Sequence, residues 1–125
     1  MHSYDRRHSD RYYVAGGKVH FTTHKGEPAF SPLADLTQSS IKFEIDEELI
    51  VGDQIEVVIE VPGFRVISVK GWVAWTSNPL LDSPAFAVVQ FLPFGTDPRY
   101  NTMRSHDQIK TIIEQRSRRI APDRD

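Results

Sequence analysis

Two short polar segments carry the residues of this chain best suited to chemistry. Arg6-Arg7-His8-Ser9-Asp10-Arg11 lies near the start, and Asp35-Leu36-Thr37-Gln38-Ser39-Ser40 follows later. A guanidinium is a planar, permanently charged fork that grips phosphate, or the O6/N7 edge of guanine, through paired hydrogen bonds. A carboxylate accepts from the ring N–H and exocyclic amine of guanine, and hydroxyls add further donors. Arginines at the mouth of a domain, facing a turn that carries Asp35, Thr37 and Ser40, can therefore hold a guanine nucleotide. Each segment also has a plainer use. An arginine-containing terminus is commonly a solubilising arm, and Asp, Thr and Ser favour turns because their side chains bond nearby backbone N–H groups. The four-residue spacing of Arg7 and Arg11, just before the first strand, tethers both close to the folded part.

Other reactive combinations assemble less well. His8-Ser9-Asp10 and Ser105-His106-Asp107 contain the residue types of a hydrolase triad, but sequence neighbours cannot point at one another as a triad requires. His20 and His24 have no third metal ligand beside them, which argues against zinc. With no cysteine in 125 residues, thiolate catalysis, disulfides and Cys-ligated metals are excluded. The chain therefore reads as a non-enzyme with no metal and no cofactor.

Size and charge narrow the classes further. A chain of 125 residues makes one domain with a single hydrophobic core. The net charge of −2, with Lys and Arg dispersed, disfavours duplex nucleic acid as a partner. The polar start has no apolar segment of a signal peptide, and no stretch approaches the roughly 20 apolar residues of a membrane helix. A cytoplasmic protein without membrane insertion is the expectation.

The elements that must position the polar segments show period two from Tyr12 onward. Val19 and Phe21 share a face, and His24-Lys25-Gly26-Glu27-Pro28 reads as a turn. Ile41, Phe43 and Ile45 alternate inward. Gln54 to Val61 is a further strand, and Pro62-Gly63 links it in a hairpin to a strand from Phe64 to Trp75. On that strand Arg65, Ile67, Val69, Gly71, Val73 and Trp75 share one face, and Gly71 marks a bulge or a close backbone approach. Trp72 and Trp75 read as one core and one edge residue, with Arg65 and Lys70 as the nearby cations. Phe86 to Phe91 supplies another strand. Asp97-Pro98 then reads as N-cap and first helical residue, opening a helix with Met103, Ile109, Ile112, Ile113 and Ile120 along an apolar stripe. Arg116, Arg118 and Arg119 suit its C-terminus. About six strands with regular turns indicate a closed or nearly closed antiparallel barrel, with the helix covering one opening. The boundaries are an arm at 1–11, a barrel at 12–96, a helix at 97–120 and a tail at 121–125.

Taken together, the two polar segments and the strands that follow resemble the PilZ domain, a family of bacterial receptors for cyclic di-GMP. Its RxxxR motif stands here as Arg7-His8-Ser9-Asp10-Arg11, preceded by Arg6. The counterpart of its [D/N]xSxxG motif reads Asp35-Leu36-Thr37-Gln38-Ser39-Ser40. The resemblance extends over Gly52, the strand around Val69-Lys70-Gly71-Trp72-Val73, the strand ending at Phe91 and the C-terminal helix. It implies a mainly β, six-stranded antiparallel split β-barrel with a C-terminal α-helix. It further implies that Arg7 and Arg11 grip the phosphates and guanine Hoogsteen edges of cyclic di-GMP, supported by Arg6. Asp35 would take a guanine Watson–Crick edge, and Thr37 would contact phosphate or orient an arginine. Binding would order the arm and signal to an unidentified protein effector.

Three positions depart from the family pattern. Thr37 replaces serine and keeps the hydroxyl. Ala87 or Val88 stands where the last strand often has glycine. Ser40 replaces glycine, which costs strain or blocks the site if that position needs a positive φ or a close ligand approach. A nucleotide-independent adaptor is the alternative if Ser40 silences the pocket. An oligonucleotide-binding barrel is a third reading, disfavoured by net charge. The apolar helix stripe is also a candidate homodimer surface.

Overall fold

The computed structural model describes residues 12–23, 25–46, 49–77 and 84–119. Eight strands and one helix follow in order: β1 (Tyr12–Val14), β2 (Lys18–Thr22), β3 (Pro28–Leu36), β4 (Ser40–Ile45), β5 (Gln54–Glu60), β6 (Ile67–Thr76), β7 (Ala85–Phe91), α1 (Met103–Arg116) and β8 (Ser117–Arg119). Six strands close a ring in the order β2-β5-β6-β7-β4-β3, with β3 returning to pair with β2. Every pairing between strands is antiparallel. The expected six-stranded barrel with a C-terminal helix is thus observed. A short extension, β1 then β8, continues outward from β3.

Alternation builds the core. Val19, Phe21, Ile41, Phe43, Ile45, Val57, Ile59, Val69 and Val73 all turn into one buried cluster. Gly71 sits inside β6 where a Cβ would collide with the Gln90 carbonyl oxygen and the Val89 side chain. The expected close approach is therefore real, and β6 and β7 meet there because Gly71 has no side chain. Gly63, at φ 88°, turns the β5–β6 hairpin in a conformation that glycine adopts without a Cβ penalty. Ala87 is fully buried, so its methyl group is part of the packing.

The C-terminal segment departs from the sequence reading at both ends. The helix begins at Met103 rather than after Asp97, capped by Thr102, whose Oγ1 accepts from Ser105 N–H at 3.1 Å. Asp97 is occupied elsewhere: its carboxylate accepts from the Arg99 backbone N–H at 2.8 Å and from the Arg99 guanidinium at 2.8 and 3.1 Å. The helix ends at Arg116, where the Ser117 hydroxyl donates to the Ile113 carbonyl and the backbone turns extended. Ser117–Arg119 then pairs with β1 instead of continuing the helix, because β1 offers an open strand edge.

Ile109, Ile112 and Ile113 are buried in the barrel's own cluster, whereas Met103 is 46% exposed and off the stripe. These three isoleucines are therefore spent on intramolecular packing. Ile120 lies outside the described residues.

Candidate functional site

The Asp35–Ser40 segment spans the end of β3, a tight turn and the start of β4. A register shift between Leu33 and Asp35 decides which way Asp35 faces. Leu33 is in the core cluster, and strict alternation would send Asp35 inward two residues later. The bulge resets the phase, so that Leu36 enters the core and Asp35 stands on the outer face opposite Lys42. A carboxylate in the barrel interior would be prohibitively unstable, and the bulge avoids it.

Thr37 organises the turn. Its N–H donates to the Ser40 carbonyl at 2.9 Å, and its Oγ1 accepts from the Ser39 and Ser40 N–H groups at 3.0 and 2.9 Å. The Thr37 and Ser40 hydroxyls lie 2.9 Å apart, so they bond to each other. The Ser39 carbonyl accepts from Phe91 N–H at 2.8 Å, fastening the turn to the end of β7. Asp35, Thr37 and Ser40 are 4%, 3% and 2% exposed.

The structure bears on the first concern about Ser40, backbone strain. No non-glycine residue among those described has a positive φ, so Ser40 bears no left-handed strain. Its hydroxyl bonds to that of Thr37, and the residue is buried. A glycine is not required to form this turn.

Arg6, Arg7 and Arg11 lie outside the described residues. What is described is where their segment joins the barrel. Tyr12 is the strand partner of Leu36, which sits between Asp35 and Thr37. Covalent geometry holds the Arg11 Cα about 3.8 Å from that of Tyr12, and Arg7 within roughly 18 Å of it. On its other side Tyr12 pairs with Arg119 of β8.

The outer face beside the turn holds groups that sequence reasoning placed differently. Pairing runs Asp35–Lys42–Val88–Trp75 across four strands, and Ser40–Gln90–Trp72 in a parallel row. Lys42 Nζ sits 4.8 Å from the Phe86 ring centre and 5.9 Å from that of Trp75. The lysine thus spans β7 above Val88, which is 1% exposed although it faces away from the core.

Trp72 and Trp75 are 36% and 38% exposed, so neither is a core residue. Trp72 faces outward by alternation with Gly71 and Val73. A second register shift, between Val73 and Trp75, turns Trp75 outward as well. Trp72 was legible from its phase, but a bulge has no marker in this sequence. Arg65 precedes β6 and is exposed.

His8-Ser9-Asp10 and His24 lie outside the described residues, and the other alternative groups can be placed; His106 Nδ1 lies 3.7 Å from Asp107 Oδ1. His20 Nε2 pairs with Glu60 Oε1 at 2.9 Å. The Ser105 hydroxyl bonds to Thr102 at 3.1 Å, and His106 lies edge-on to Phe94. Among the described residues no three His, Asp or Glu side chains cluster as a metal site, and no helix is long and apolar enough to cross a membrane.

Comparison with known proteins is decided by structure alone. No family sequence model matches the chain, and no curated protein matches it. Among solved structures, the PilZ domain with c-di-GMP of YcgR from Escherichia coli matches 89% of this chain with a TM-score of 0.59 at 13% identity, and 97% of that domain is covered. The fold is that of a PilZ domain. The K. pneumonia MrkH–c-di-GMP complex matches 89% of the chain at 14% identity with a TM-score of 0.70, and the Bacillus subtilis inhibitor of motility (MotI/DgrA) 90% at 13% with a TM-score of 0.64. This PilZ-like chain spans about half of each of those two proteins, 52% in both cases.

Proposed function

We propose that this chain is a non-catalytic receptor domain for cyclic di-GMP. The single observation that carries the reading is the Tyr12–Leu36 pairing, which joins the arginine arm to the barrel beside the Asp35–Ser40 turn. Arg7 and Arg11 would grip phosphates and guanine Hoogsteen edges, with Arg6 in support. Asp35 would accept from a guanine Watson–Crick edge. Thr37 and Ser40 act by shaping the turn, since their hydroxyls are bonded to each other. A guanine leaving the arm meets the Lys42, Phe86 and Trp75 strip, where stacking and a cation are both at hand. The solved structures with this fold that contain c-di-GMP support the choice of nucleotide.

The same connectivity supports signalling to a protein effector. Ordering the arm on the nucleotide fixes β1, whose three residues all pair with β8. The strand β8 continues directly from α1, and Arg116 at the junction lies over the Phe64 ring at 5.6 Å. A change at the arm thereby reaches the helix end and the β5–β6 hairpin.

The test is thermal unfolding with and without cyclic di-GMP. Ligand at a hundredfold excess over its dissociation constant adds about 2.7 kcal/mol to stability. Absence of any shift at millimolar ligand would favour the nucleotide-independent adaptor, and a shift with single-stranded DNA alone would favour the oligonucleotide reading.

A further inference from the structure

A cleft of about 340 Å³ lies between the β5–β6 hairpin and one face of α1, at the small end of the range for ligand sites. Phe64 and the buried Ile67 and Ile112 give it an apolar floor, and Arg104, Gln108 and Thr111 form its helical wall. Spaced at i, i+4 and i+7, those three share one helix face and span about 10 Å. An extended chain covers that length with about three residues. The cleft therefore has room for one apolar side chain and the two residues that flank it.

The hairpin wall is fixed from the far end of the helix. The Arg116 guanidinium lies over the Phe64 ring at 5.6 Å, and it comes within 3.0 Å of where a Cβ on Gly63 would stand. Phe64 N–H also donates to the Val61 carbonyl at 3.1 Å. A wall held in this way is preorganised, which lowers the entropy lost on binding.

Charge at the cleft runs opposite to that of the chain. The chain carries a net −2, yet the cleft is lined by two arginines, Arg65 and Arg104, against one carboxylate, Asp107. Among the described residues neither arginine takes part in an ion pair, whereas Arg99 is engaged by Asp97. Val66 and Met103, sequence neighbours of the two arginines, are 60% and 46% exposed. Exposed apolar side chains beside unpaired arginines and an aromatic ring are the composition of a protein-recognition surface.

We propose that this cleft docks a short acidic segment of a partner protein, with one apolar side chain seated on Phe64, Ile67 and Ile112. Carboxylates on either side of that side chain pair with the guanidinium forks of Arg65 and Arg104. Asp107 repels a carboxylate placed beside it and so selects one register of the segment. None of the lining residues belongs to the arginine arm or to the Asp35–Ser40 turn, so the proposal stands independently of nucleotide binding.

The test is an NMR titration of the full chain with acetyl-Glu-Glu-Leu-Glu-Glu-amide and its two analogues with isoleucine or phenylalanine at the centre. Saturable shifts centred on Phe64, Gln108 and Thr111 are expected with at least one of the three. Lysine in place of the glutamates, or serine in place of the central residue, should weaken binding about tenfold or more. Arg65→Glu combined with Arg104→Glu should reverse the preference from the glutamate to the lysine peptide. Its unfolding midpoint should stay near that of the wild type, because both arginines are exposed. No saturable shift at these residues with any of the three peptides at millimolar concentration overturns the proposal. So does equal binding of the lysine peptide, or saturation of the cleft by octanoate without any response to the peptides, which would assign it to anionic amphiphiles.

Discussion

Tyr12 and Leu36 are strand partners, and that one pair joins the two polar segments of this chain. Arg6 to Arg11 ends one residue before Tyr12, and Asp35 and Thr37 flank Leu36. Tyr12, at which the arginine segment joins the barrel, is therefore held beside the Asp35–Ser40 turn, more than twenty residues further along the sequence.

The arginines should act on affinity rather than on stability. Charge-assisted hydrogen bonds contribute about 1.5–3 kcal/mol each, so Arg7→Ala or Arg11→Ala should weaken cyclic di-GMP binding roughly ten- to hundredfold. The unfolding midpoint without ligand should stay close to that of the wild type. Calorimetry combined with a denaturant titration of the same variants separates the two effects.

Ser40→Gly should destabilise the fold without improving binding. The change removes a hydroxyl bonded to Thr37 in a buried turn and introduces glycine at a strand start, together costing about 1–2 kcal/mol. A fall in Tm of roughly 5 °C is expected. Had Ser40 been a poor replacement for a required glycine, the same substitution would raise both stability and affinity. Thermal unfolding and calorimetry of the variant read the sign directly.

Gly71→Ala tests the contact of β6 with β7. The added methyl meets the Gln90 carbonyl and the Val89 side chain, which are backbone and core and cannot both move aside. Overpacking of this kind costs about 1–3 kcal/mol or more. Urea denaturation should show a lower midpoint, and the Trp72 indole, on the neighbouring residue, should change its environment.

Trp75→Ala should reduce cyclic di-GMP affinity by about tenfold if a base stacks on this strip, since each such stack is worth roughly 1–3 kcal/mol. Conservative replacement by Phe should restore most of the loss. Equal affinity for wild type and Trp75→Ala would remove the strip from the site.

The Asp97–Arg99 pair gives a pH dependence of defined sign. The Arg99 side chain, and then its backbone N–H, hold the Asp97 carboxyl below its ordinary range. A depressed folded-state value means that the pair's small contribution is present above the ordinary carboxylate range and is lost as pH falls through the folded value. An NMR titration of the Asp97 carboxyl carbon should show the lowered midpoint, and Arg99→Ala should return it toward normal.

Facing was legible within regular strands, although the strand read from Phe64 begins at Ile67 and leaves Arg65 outside it. Val19 with Phe21, and Ile41 with Phe43 and Ile45, alternate into the core as their spacing demands. Pro62-Gly63 turns a hairpin because Gly63 adopts a positive φ, and Gly71 marks a close approach because a Cβ there has no room. Features set by a neighbouring strand were not legible. The bulges before Asp35 and before Trp75 shift phase through pairing with β4 and β7, and no residue announces them. Asp97-Pro98 has the composition of a helix start, yet Arg99 draws the carboxylate into a local turn and Thr102 caps instead. Ser117-Arg118-Arg119 became strand rather than helix because β1 presents an edge that needs a partner.

The central claim is that nucleotide binds where the arm meets the Asp35–Ser40 turn, and a residue-resolved NMR titration with cyclic di-GMP tests it most directly. The account predicts saturable shifts centred on Tyr12, Leu36, Thr37 and Ser40, reaching Gln90 and the Trp75 indole, and much weakened in Arg11→Ala. No saturable shift at millimolar nucleotide, or shifts centred on the opposite end around Thr22 and Gln54, would contradict it.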